Sequence, residues 1–175
     1  FPGMQPIAGH LSRLRGDIRR LVGDRAGAIE QYTEAIRANR YLPGVFADRG
    51  WVRHELGDYK GAADDFTEAL AISARDLHAL RGRGWAKIAL GEPKDAVEDF
   101  TLALGVRPGD EQALRGRAWA KIALADSRGA VDDFTGALQT SPRDTEALSG
   151  RASARLALGD RKGAFEDYDL ALRIA

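Results

Sequence analysis

Apolar residues return every three to four positions along most of the chain, in runs separated by short breaks rich in glycine, proline and aspartate. Over residues 77–90, Leu80, Gly84, Lys87 and Leu90 fall on one side of a helix, and over 94–105 Ala96, Phe100, Ala103 and Leu104 do the same. Gly91, Glu92 and Pro93 separate the two runs. A glycine past a helix end supplies a left-handed cap, and a proline suits the first turn of the next helix, so the pair predicts a helical hairpin that Pro108 and Gly109 close. Residues 1–8 (FPGMQPIA) hold two prolines and no periodicity, and are expected to form an irregular lead-in.

The hairpin repeats. ALRGRGWAKIAL at 79–90 returns as ALRGRAWAKIAL at 113–124, a shift of 34, and weaker copies stand at 11–22, 45–56 and 147–158. Five units follow, at 9–42, 43–76, 77–110, 111–144 and 145–175, with no insertion between them. Ala28, Ala62, Ala96, Ala130 and Ala164 share one register, Ala35, Ala69, Ala103, Ala137 and Ala171 another, and Tyr32, Phe66, Phe100, Phe134 and Tyr168 lie between them. Alanine lets backbones approach while the ring fills the adjoining space. One hairpin cannot bury such a face alone, so an unbroken stacked array is expected.

The recurring large residue, small residue and Leu-Gly turn of the first helix, followed by the alanine, aromatic and alanine of the second, resemble the tetratricopeptide repeat (TPR) family. In the third unit the pattern is Leu80, Gly84, Leu90 with Gly91, Ala96, Phe100, Ala103 and Pro108. The likeness spans residues 9–175, with departures at Ala125, which replaces the turn glycine, and at Arg40 and Ala74, which replace the terminal proline. It implies an all-α, right-handed solenoid of five helix-turn-helix repeats and ten helices. It also implies a concave wall, made by the first helix of each repeat, that holds peptides of a protein partner.

Composition narrows the function. A hydrophobic content of 44% argues against disorder, and 26 basic against 26 acidic residues leave no general electrostatic reason to expect nucleic acid or an anionic membrane. Cysteine is absent, which excludes thiol catalysis and thiolate metal sites and suits a reducing, cytoplasmic setting. No apolar run is long enough to span a membrane. Phe1–Gly3 reads either as a remnant ahead of Met4 or, with the whole chain, as a piece of something longer.

On the wall that the resemblance implies, Trp51, Trp85 and Trp119 occupy one register in adjacent units, and Arg81 and Arg115 stand one turn before the last two. Cationic and aromatic groups side by side suit an apolar side chain and a carboxylate of one peptide. Ile88, Ile122 and His54 flank them as further candidates. The indoles either pack between helices only or pack and also touch a ligand, and both readings stay open. The lysine- and asparagine-rich clamp with which the family grips chaperone tails is not matched, because Asp17 and Asp48 have the wrong sign.

A second series, Arg15, Arg49, Arg83, Arg117 and Arg151, faces acids at 30, 64–65, 98–99, 132–133 and 166–167. It reads as a phosphate track or as a repeated ion pair with packed stems, and the neutral net charge favours the pair. His10, His54 and His78 lie in different units without metal-ligand spacing, and no phosphate-cradling glycine loop occurs, so no enzyme, cofactor or metal is expected. The expected role is an adaptor or assembly scaffold. The alternatives are self-assembly through terminal repeats, where Ala164, Phe165, Tyr168, Leu172 and Ile174 stand uncovered, or a targeting segment of a larger enzyme or signalling protein.

Overall fold

The structure, a computed structural model, describes residues 5–174. Among the described residues there are ten helices and no strand. The first compact unit, through Leu90, holds α1 (Gln5–Leu21), α2 (Arg25–Ala38), α3 (Val45–Glu55), α4 (Tyr59–Ile72) and α5 (Leu77–Ala89). The second, from Gly91, holds α6 (Pro93–Val106), α7 (Glu111–Ala123), α8 (Ser127–Thr140), α9 (Thr145–Ala157) and α10 (Arg161–Ile174). None is long and apolar enough to cross a membrane.

One boundary differs from expectation. The lead-in anticipated through residue 8 is helical from Gln5, while residues 1–4 lie outside the described residues. Pro6 stands in the first turn, where a missing N–H breaks no helical hydrogen bond, so a proline that reads as a breaker starts the helix instead.

Aspartates set most helix starts. Asp24, Asp58, Asp126 and Asp160 each accept a hydrogen bond from the backbone N–H three residues on, and Asp76, Asp110 and Asp144 cap α5, α7 and α9. Each cap satisfies an otherwise orphaned amide. At α6 the cap Glu92 makes no such bond, and Pro93 takes over at the first helical position. The turn residues Gly23, Gly57, Gly91 and Gly159 have φ between 78° and 83°, and Ala125 follows them into the left-handed region at φ 61°. Its methyl group costs about 1 kcal/mol there.

In the first unit the core runs through Ala28, Tyr32, Ala35, Val45, Val52, Ala62, Phe66 and Ala79. In the second it runs through Ala118, Ala130, Phe134, Leu138, Ala147, Leu148 and Ala154. Phe66, Phe100 and Phe134 are fully buried because the next first-helix presents glycine to them. A Cβ on Gly82, Gly116 or Gly150 would lie 2.3 Å from the ring. Tyr168, in the same register, is 37% exposed.

Three members of the arginine series, Arg49, Arg117 and Arg151, close as ion pairs, whereas Arg15 does not meet the acid expected at Glu30. Arg49 grips Asp65 at 2.9 and 2.7 Å, and Arg117–Asp133 and Arg151–Asp167 repeat the bidentate fork at 2.8 and 2.6 Å. The remaining guanidinium nitrogen reaches back to Thr33, Thr101 or Thr135 of the preceding second-helix. A second cation, Arg53, Lys121 or Arg155, closes on the same carboxylate at 2.9, 2.7 or 2.9 Å. Each aspartate is thus buried between two cations, and each arginine stitches three helices.

Candidate functional wall

The first helices of neighbouring hairpins lie side by side within each unit, α3 beside α5 and α7 beside α9, and their shared faces carry the candidate residues. In the first unit Trp51 is partly exposed. Its indole meets the edge of Phe66 at 5.5 Å and the rings of His78 and His54 at 5.3 and 5.7 Å, while Tyr59 stands edge-on to His54 at 5.1 Å. The His54 ring also bonds the Trp85 backbone. Desolvation pushes both imidazoles below their usual 6.5. At His54 that bond and Glu55 oppose it; at His78 the charges of Arg81 and Arg20 add to it and Asp76 opposes. Both rings are therefore neutral, aromatic companions of Trp51 at physiological pH.

In the second unit Trp119 stands edge-on to Phe134 at 5.4 Å, as Trp51 does to Phe66. Both indole N–H groups are buried with no acceptor among the described residues, so each tryptophan turns its N–H inward and offers only ring carbons to the wall. Above Trp119 opens a cavity of about 560 Å³, lined also by Thr145, Glu146, Ser149, Tyr168, Ala171 and Leu172. Its lining is mostly apolar, and Thr145, Ser149 and Tyr168 add hydroxyls and Glu146 a carboxylate.

The other predicted residues fall as follows. Arg115 gives Nη1 to Asp144 at 2.9 Å and Glu146 at 3.3 Å, so a partner's carboxylate competes there with the chain's own acids. Ile122 packs on the core of the second unit and Ile88 is partly buried. Arg81 and Trp85 are partly exposed on α5. In the first hairpin Arg13 is held by Asp48 at 2.8 Å, and Tyr32 donates to Asp17 at 2.8 Å, which ties up the polar groups of that stretch of wall. Sequence reasoning missed the convergence of Tyr168 and Leu172 with Trp119. Along the sequence Tyr168 and Leu172 read as part of an uncovered end, whereas in the structure they line one cavity with Trp119. No group of three or more histidines and carboxylates able to hold a metal occurs among the described residues.

The sequence model of the tetratricopeptide repeat matches residues 13–76 and 115–175. The chain belongs to the tetratricopeptide repeat family. Solved TPR structures share its fold. MamA from Desulfovibrio magneticus RS-1 superposes with a TM-score of 0.87 at 17% identity, over 95% of this chain and 94% of that one. A TPR protein from Parabacteroides merdae gives 0.83 at 24% identity over 97% and 66%. YrrB, described as a TPR protein with an unusual peptide-binding site, gives 0.77 at 19% identity over 93% and 84%. No curated protein sequence matches significantly. At these identities the likeness concerns the TPR fold, and the wall residues are this chain's own.

Proposed function

We propose that this TPR protein is a non-catalytic adaptor or assembly scaffold that binds a peptide segment of a protein partner on its first-helix walls. The observation that carries this reading is the open cavity over Trp119, whose mostly apolar lining with a few hydroxyls matches an aliphatic or aromatic side chain on a peptide backbone. One such anchor contributes about 1.5–3 kcal/mol, roughly ten- to hundredfold in affinity. In this reading Trp51, Trp85, Arg81, His54 and Ile88 are the contact residues on the wall of the first unit, and Arg115 and Ile122 join Trp119 on that of the second. YrrB's peptide-binding site and the first TPR of Spaghetti (RPAP3), solved with an HSP90 peptide, support the class of ligand. The missing cysteines suit a cytoplasmic setting. Selection from a random peptide library tests it. Peptides enriched by the wild type carry a large apolar anchor and bind Trp119→Ala and Leu172→Glu at least tenfold more weakly. Equal recovery by both folded variants removes the wall from the account.

A second reading, self-association through α10, draws support from Phe165 and Leu172, which are 72% and 79% exposed. Sedimentation across a concentration series separates the two. Association that Phe165→Glu abolishes and Trp119→Ala leaves intact supports contact between copies, and a monomer at every concentration excludes it.

A further inference from the structure

Every second-helix aspartate of the Arg49, Arg117 and Arg151 seams receives a bidentate arginine from sixteen residues upstream and a second cation from twelve. The first hairpin has the two cations, Arg15 and Arg19, but position 31 is glutamine. The consequences are visible. Arg19, whose counterparts Arg53 and Arg155 reach the seam carboxylate, instead turns to the cap of α2, its Nη1 2.6 Å from Asp24. Arg15 is exposed and meets no carboxylate among the described residues. Between them lies an open cavity of about 350 Å³ lined by Arg15, Ile18, Arg19 and Gln31.

We propose that this cradle is a binding site for a carboxylate carried by an acidic side chain of another polypeptide. Three copies of the same cation pair within this chain show what the geometry accepts: a planar, two-oxygen anion, held at 2.6 to 2.9 Å by a guanidinium fork and a second cation. In repeat 1 the chain withholds that anion and keeps both cations. Asp24 offsets Arg19 from the cap, but the neutral Gln31 amide cannot offset the charge of Arg15, and Ile18 gives the cradle an apolar wall that disfavours a heavily hydrated phosphate. Ile18 continues into Leu11 and Leu14 along α1, which are 50% and 55% exposed, so the matching segment sets glutamate or aspartate beside apolar side chains. The site lies on α1 and α2, shares no residue with the Trp119 cavity, and stands whether or not the wall binds peptide.

The test uses the arginine side-chain Nε–H signals in NMR spectra of the whole chain at low ionic strength. The probes are an acetylated decaglutamate peptide and, separately, inorganic phosphate. The Arg15 signal of the wild type is expected to shift saturably with decaglutamate, and the affinity, followed in the variants by the neighbouring Arg19 signal, to fall at least tenfold in Arg15→Gln and in Gln31→Asp, which supplies the missing carboxylate from within. Gln31→Asp should also raise the unfolding temperature, because it completes the arrangement of the other hairpins. An unchanged affinity in Gln31→Asp, a shift that does not saturate, or a lower melting temperature overturns the assignment. Tighter binding of phosphate than of decaglutamate assigns the cradle to phosphate and overturns the carboxylate reading.

Discussion

At the scale of single residues, the buried aspartates decide most. Asp133 is 5% exposed and holds Arg117 and Lys121 together. Asp133→Ala leaves two partly buried cations facing each other and is expected to cost about 3–5 kcal/mol in chemical denaturation. Glu34→Ala removes an equally short but open pair with Arg37 and should cost under about 1 kcal/mol. Similar losses for both would refute the stitching role. The two wall histidines give a pH signature. Their folded-state values lie below 6.5, so the unfolded chain takes up more protons as the pH falls past 6.5. The contribution is whole above that point and is lost as the pH falls through the folded values. The pair His54→Gln, His78→Gln should therefore flatten the decline in stability between about pH 7 and 5, measured by urea unfolding. The pairing of Arg49, Arg117 and Arg151 with second-helix acids was legible in the sequence, and the pairing expected for Arg15 fails because its seam position holds Gln31. Which acid of each pair turns inward was not, because Asp64 and Asp65 are adjacent and only packing leaves the first exposed and the second 2% exposed.

At the scale of helices, close approach is a property of particular glycines. Gly82→Ala drives a methyl group into the fully buried Phe66 ring and should lower stability by about 1–3 kcal/mol, whereas Gly105→Ala meets open space on α6 and should raise it by about 0.5 kcal/mol. Thermal melts of the two variants moving in the same direction would contradict this account of the seams. The helices themselves were readable from the sequence, since alanine and ring registers recur with the period of the hairpin. Two local features were not. Pro6 looks like a breaker until its place in the first turn is known, and the aspartate caps, though announced by Asp-x-x-Gly at 24, 58, 126 and 160, carry no weight in a reading of apolar spacing alone. The cavity over Trp119 was illegible for a related reason. It needs residues from α7, α9 and α10 in one place, and no single helix face encodes that meeting.

At the scale of the whole chain, the period matters more than any one contact. The stitch from arginine to the aspartate sixteen residues on, and back to the threonine sixteen before, has the same offsets at Arg49, Arg117 and Arg151. A chain lacking residues 77–110 would join Asp76 to Glu111 with every offset on either side preserved, and is expected to fold with cooperative unfolding and nearly unchanged helicity per residue by circular dichroism. Excising half that length puts first-helix residues where second-helix partners are required, and should yield a largely unfolded product. Recombination that adds or removes one full module is thus structurally silent, leaving lineages of this protein free to lengthen or shorten their array without first acquiring compensating substitutions.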